Sequence, residues 1–233
     1  MSAATNDTAP DHDRDWSGLQ RAGFAVVLFT AAATLGFAAF TGPREPLTAI
    51  AADSVEQRTE PATRGGGLVI NGCAIEPGTQ CPQADLARRN LARANLHNAD
   101  LSGANLHNAD LGEADLTEAD LTGARLSYVG LRAANLQDAN LHRAGLQGAG
   151  LYSADLRRAD LTDANLYGAD LRLADLTGAD LTDANLHRAG LDGANLDRAA
   201  LSGANLTDAR FYNTQMPDGS RCTGSVEGCS WQP

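Results

Sequence analysis

Five histidines, four cysteines and 29 acidic side chains are the groups in this 233-residue chain that could hold a metal, move a proton or support a nucleophile. Such chemistry needs them close together. A tetrahedral metal site gathers three or four ligands, and a nucleophile needs a base within hydrogen-bond reach. His12, His97, His107, His142 and His187 are spread along the chain, and Cys73 and Cys81 are far from Cys222 and Cys229. Which of these meet depends on the elements between them. The glycines supply no phosphate cradle, because none opens a helix after a strand.

Those elements are governed by one repeat. From Leu86 to Leu206 a leucine recurs at every fifth residue, 25 in all, and Phe211 takes the next place. Alanine stands two residues before nearly every one, with Arg89 and Val129 departing, and Asp or Asn usually stands directly before it. A period of five fits neither common element. On an α-helix successive leucines would sit about 140° apart and make no stripe. On a straight strand they would alternate between faces. The pattern becomes consistent if the chain turns a corner every five residues, with leucine and the alanine two before it pointing inward. Four sides then close a coil of twenty residues, and coils stack at the inter-strand spacing of about 4.8 Å.

The A-(D/N)-L-x-x repeat resembles the pentapeptide-repeat family, over about 128 of the 233 residues. The resemblance implies an all-β fold, a right-handed quadrilateral parallel β-helix. It implies little about function, since most members of that family have no established role. Folded in this way, the chain reads as a disordered tail over residues 1–21, an apolar helix over 22–43, a linker over 44–67, an N-terminal cap over 68–83, the β-helix over 84–213 and a C-terminal cap over 214–233.

Twenty residues per coil separates the candidate catalytic groups. His107 and His187 share a face but lie four coils, about 19 Å, apart, and His97 and His142 fall on two other faces. No two are placed to share a metal or to pair with a nucleophile. No active site, metal or cofactor is expected, and the chain reads as a non-enzyme. The aspartates before the leucines are expected to face solvent.

The cysteines flank the repeat, two before it in LVINGCAIEPGTQC and two after it in MPDGSRCTGSVEGCS. A stacked β-helix exposes backbone and apolar side chains at its ends, which must be covered. Disulfides Cys73–Cys81 and Cys222–Cys229 would close short loops there, each contributing about 2 to 3 kcal/mol. They persist in an oxidising compartment. A zinc site would need the two ends to meet, and neither pair has C-x₂₋₄-C spacing. Four reduced thiols are the remaining reading.

The apolar run AGFAVVLFTAAATLGFAAF would span about 28 Å as a helix, near the thickness of a bilayer core. It reads as a retained membrane anchor or as a secretory signal cut near Gly36-Phe37-Ala38. Arg14 and Arg21 on one side, against Arg44 and Arg58 on the other, leave its orientation undecided by charge. Together with the paired cysteines it places the repeat on the extracytoplasmic side, membrane-anchored or secreted.

The net charge is -11, and every basic residue is an arginine. This argues against direct nucleic-acid binding and favours a protein partner with a basic surface. Two surface features stand out. Asp100, Asp120, Asp160 and Asp180 stack in one column interrupted by Asn140, with Asp163 and Asp183 on the same face and Asp115, Asp155 and Asp175 on the next. The second feature is the outward column Arg132, Tyr152, Arg172, Asp192, with Leu173 beside it. Its arginines can stack on the tyrosine, and Arg, Tyr and Leu are interface residues. The two functional classes are therefore a structural or protein-interaction rod, and a DNA-mimicking binder of gyrase of the kind known in the family. The scattered arginines, the apolar segment and the cysteine pairs oppose the second.

Overall fold

A computed structural model of the chain describes residues 68–224. The tail over 1–21, the apolar segment over 22–43, the linker over 44–67 and residues 225–233, Cys229 among them, lie outside the described residues. Among the described residues no helix is long and apolar enough to cross a membrane.

The pentads build a four-sided β-helix. Each residue before a leucine forms a parallel bridge to its counterpart twenty residues on, as in Asp100 to Asp120, Asn105 to Arg125, Asp110 to Gly130 and Asp115 to Asn135. Four consecutive pentads thus give four sides. Side one carries Leu101 to Leu201, side two Leu86 to Leu206, side three Leu91 to Leu191 and Phe211, and side four Leu96 to Leu196 and Met216. Three backbone hydrogen bonds tie each pentad to the next coil. On side one Leu101 N–H donates to Asp120 O, Gly103 N–H to Thr122 O and Asp120 N–H to Ala99 O, each at 2.8 Å.

Corners are made by the two residues after each leucine. The alanine that follows them donates back to the leucine carbonyl, as Ala104 does to Leu101 at 3.0 Å, and the second corner residue has positive φ. That is the type II pattern. The sequence obeys its sterics. Thr occupies the first corner position repeatedly, at Thr117, Thr122, Thr162 and Thr177, but no Val, Ile or Thr occupies the second, where a branched Cβ would clash at positive φ.

Leucines and alanines fill the interior as their spacing requires, with the leucines from Leu86 to Leu196 at most 1% exposed. Val129 substitutes for alanine within the core. Both ends extend the repeat further than its leucines suggest, for the ladder runs from Gln80 to Gln215. Cys81 occupies the leucine register one coil below Leu101, and Met216 occupies it after Phe211. Thr214 takes the alanine register, fully buried, and its hydroxyl donates to Leu191 O at 2.6 Å.

Two small hairpins close the ends. Strands β1 (Val69–Ile70) and β2 (Cys73–Ala74) pair antiparallel across Asn71 and Gly72. Both turn residues have positive φ, as a type I′ hairpin requires. The Cys73–Cys81 disulfide, Cα atoms 5.6 Å apart, ties this hairpin to the first coil, and Ile70 and Ile75 pack against the core there. Strands β3 (Phe211–Gln215) and β4 (Arg221–Gly224) form the other hairpin. Cys222 on β4 is buried and disulfide-bonded.

Leu146 is 1% exposed and surrounded by like side chains. Leu146→Asp should cost about 4 kcal/mol or more, since it buries a charge where no partner exists. In a stack of coils the loss should abolish or sharply lower the single melting transition followed by circular dichroism.

Candidate functional site

The outward surface consists of rows parallel to the coil axis: a bridge row along the middle of each side and two rows along each corner. On side one the bridge row reads Gln80, Asp100, Asp120, Asn140, Asp160, Asp180, Ala200, so the expected acidic column is formed. Asp163 and Asp183 lie on the corner that follows rather than on the flat of the side, because they are second corner residues.

These aspartates are not simply solvated. Each carboxylate caps its own corner: Ser102 N–H donates to Asp100 Oδ1 at 3.0 Å and Thr122 N–H to Asp120 Oδ1 at 2.9 Å. Where Ser or Thr follows the leucine, its hydroxyl often donates to the same oxygen, as Ser102, Thr117, Thr122 and Thr162 do at 2.6–2.7 Å. At His97, His107, Gln137, His142 and Tyr167 the residue before the leucine is Asn, and its Oδ1 accepts the amide alone. The choice between Asp and Asn thus tracks the donor two residues on, a local Asx turn that a census of charge overlooks. On side one the turn amide is accepted by one carboxylate oxygen, Oδ1, of each of Asp100, Asp120, Asp160 and Asp180.

Side four and its corner are acidic as well but partly neutralised. Arg158 hydrogen-bonds Asp138 at 2.6 and 2.7 Å, and Arg157 hydrogen-bonds Asp155, with Nε 2.8 Å from Oδ1. These bonds hold both carboxyls below their ordinary range. Asp175 accepts from Thr177, and Asp115 from Thr117.

Side three differs. Its bridge row is Asn90, Asp110, Gly130, Gly150, Asp170, Gly190, Arg210, with three glycines along its middle. The chain's four tyrosines stand on the two corners flanking it. On one edge Tyr152 lies between Arg132 and Arg172, each guanidinium carbon 5.6 Å from the ring centre. Arg172 also reaches across the side to Asp170, two bonds of 2.7 Å that hold this carboxyl below its ordinary range. Leu173, 53% exposed, leans over Gly193, where a Cβ would come within 2.6 Å of its Cδ2. Tyr212 is exposed above it. On the other edge Tyr128 lies over Gly148 in the same manner, 2.7 Å from the position of a Cβ, and Tyr167 accepts from Arg188 at 3.2 Å. The pairing of a large corner residue with a glycine twenty positions later was the legible signal for this edge, and the composition of the repeat hid it.

The histidines remain apart. His107 meets the edge of Tyr128 at 6.0 Å and His187 meets Tyr167 at 5.4 Å. His142 Nδ1 lies 2.7 Å from the hydroxyl of Thr162, which donates to Asp160 at 2.7 Å. That trio has the residue types of a hydrolytic relay in the wrong order, because the hydroxyl proton is committed to the carboxylate that caps the turn. Among the described residues no group of three or more His, Cys, Asp or Glu could hold a metal. Arg89, the departure from the alanine register, lines a shallow cleft with Arg88, Asn90, Asn108 and Asp110.

A twenty-residue coil of four pentads with aliphatic columns inside defines a β-helical repeat protein. The family model for pentapeptide repeats matches eight copies over residues 80–117, 114–151, 124–163, 154–189 and 184–218. The chain belongs to the pentapeptide-repeat family, and with it to the right-handed β-helices. Among solved structures it is similar to the pentapeptide repeat protein Rfr23 from the cyanobacterium Cyanothece 51142, at 41% identity over 34% of this chain and 54% of that one, TM-score 0.34. The chain therefore spans about half the length of that relative. It is also similar to a pentapeptide repeat protein from the Arabidopsis thaliana thylakoid lumen, at 32% identity over 49% of this chain and 82% of that one, TM-score 0.35. HetL from Nostoc sp. strain PCC 7120, involved in heterocyst differentiation regulation, is 35% identical over 63% of this chain and 87% of HetL, TM-score 0.26. A search of curated proteins gives no match.

The capping role makes a direct prediction. Asp120→Ala leaves the Thr122 amide and hydroxyl without their acceptor and should cost about 1 kcal/mol in urea unfolding. Asp120→Asn keeps the acceptor and should be close to neutral, since Asn205 already caps Thr207 in this way at 3.1 Å.

Proposed function

We propose that this protein is a non-enzymatic interaction module, a rigid β-helix that presents its acidic side one to a protein partner with a basic surface. The observation that supports this most directly is the regular row Asp100, Asp120, Asp160, Asp180, held at coil spacing by the corner caps. On the pentads of this row the arginine is Arg143, which pairs with Asp163 at 3.5 Å, and Arg157 and Arg158 stand on the corner before Asp160. Fixed carboxylates a few ångströms apart attract cations and cationic side chains more than mobile ones do, because no ordering cost remains to be met on binding.

The capping chemistry supplies a clean test. Asp100→Asn, Asp120→Asn, Asp160→Asn and Asp180→Asn together remove four charges while keeping every turn acceptor. The variant should melt like the parent yet lose the partner that co-purifies with the parent. Retention of that partner at unchanged salt sensitivity would count against side one as the docking surface.

We further propose that the β-helix acts on the extracytoplasmic side, anchored or released through residues 22–43. The Cys73–Cys81 disulfide and the disulfide-bonded Cys222 support this, because such bonds persist where thiols are oxidised. On intact cells a membrane-impermeant maleimide should label the cysteines only after reduction. Label that appears only after lysis, with thiols already free, would favour the cytoplasmic, gyrase-binding reading instead.

A further inference from the structure

Side three is built to pair with itself. Its rows are not merely neutral overall; their order along the axis is self-complementary. We infer that two copies of this chain pack side by side and antiparallel through side three and its flanking corners, related by a two-fold axis that crosses the side midway between the coils of Tyr152 and Arg172. Such an axis lies in the plane of contact, so each row faces the same row of the second copy in reverse order, and each contact occurs twice.

The pairings then follow from the register alone. In the bridge row Asp110 falls opposite Arg210 of the second copy, and the glycines at 130 and 190 oppose each other, so the backbones can approach. In the corner row Arg132 falls opposite Asp192, and Tyr152 opposite Arg172. Beside them Leu173 meets the small side chain of Ser153. On the other edge Tyr128 meets Arg188. No like charges are opposed in any of these rows.

The same operation applied to side one sets Asp120 against Asp180, so that side repels itself. Among the described residues Arg132 makes no salt bridge, its neighbour being the Tyr152 ring. Asp192 holds Arg210 only at 3.6 Å. The second copy supplies the missing counter-charges. A contact running from Asp110 to Arg210 covers five coil rises, about 24 Å, comparable with the side of a standard interface patch of about 800 Å² per partner. Because side one lies opposite side three, the pair leaves both acidic rows outward. The proposed partner binding and this self-association are therefore separable, and either can fail alone.

Charge exchange tests the register in the full-length chain by sedimentation velocity over a micromolar to sub-millimolar range. The parent should show a concentration-dependent dimer. Arg132→Asp opposes two aspartates, and Asp192→Arg opposes two arginines, each twice by symmetry, so each variant alone should dissociate about a hundredfold more readily. An equimolar mixture of the two variants restores opposite charges at both contacts and should recover a dimer within about threefold of the parent affinity. This recovery also controls for folding, since a misfolded variant could not be rescued by its complement. A monomer throughout the range, a dimer indifferent to both substitutions, or a mixture no tighter than the single variants would overturn the proposal.

Discussion

The bridge between each residue before a leucine and its counterpart twenty residues later is the constraint on which everything else rests. Three backbone hydrogen bonds per pentad, most between 2.7 and 3.0 Å, lock that register, and the register in turn stacks leucine on leucine. Neither part suffices alone. A two-residue bridge is far too short to be a stable strand, and a column of leucines has no direction of its own. Together they make a lattice in which a shift of one residue would turn every leucine outward, so the alternatives lie far above the native arrangement.

A lattice this regular was legible in the sequence because its period is inconsistent with any other element. The four sides, the buried alanines and leucines, and the stacking of Asp100 on Asp120 all follow from counting by five and by twenty. What could not be counted was local chemistry within the pentad. The sequence leaves open whether the Asp face is eased by counterions or by hydrogen bonds to turn amides, and Asp100 and Asp120 take the second course at Ser102 and Thr122. Nor does counting show that Leu173 has a surface to lie on, which Gly193 gives it. The ends were misjudged by a few residues for a related reason. Cys81, Thr214 and Met216 satisfy the inward positions by size and polarity rather than by identity.

The corners also show where the sequence accepts conformational cost. A second corner residue at positive φ is easiest for glycine or asparagine. Tyr128 and Leu173 occupy that place, with φ of 58° and 59°, although each is bulky and largely exposed. Each costs of order 1 kcal/mol relative to an easier residue, and their contact with a glycine below recovers only part of the apolar surface. The corner that follows side one has Gly103, Gly123 and Gly203 at the same position, each after a hydroxyl residue, and Arg143, Asp163 and Asp183 at three others.

That contrast separates two kinds of surface on one scaffold. Around side one the capped aspartates of the bridge row dominate the outward surface. Around side three the chain places rings, guanidinium groups and an aliphatic side chain beside the glycines of the bridge row, with Tyr128, Leu173 and Arg188 at positive φ. Glycine or asparagine would meet the positive φ of Tyr128 and Leu173 at lower cost, so the folding of the coil does not favour them. The order of charges along side three, reversed upon itself, opposes no like charges, and that is the ground on which pairing with the same side of another copy is proposed.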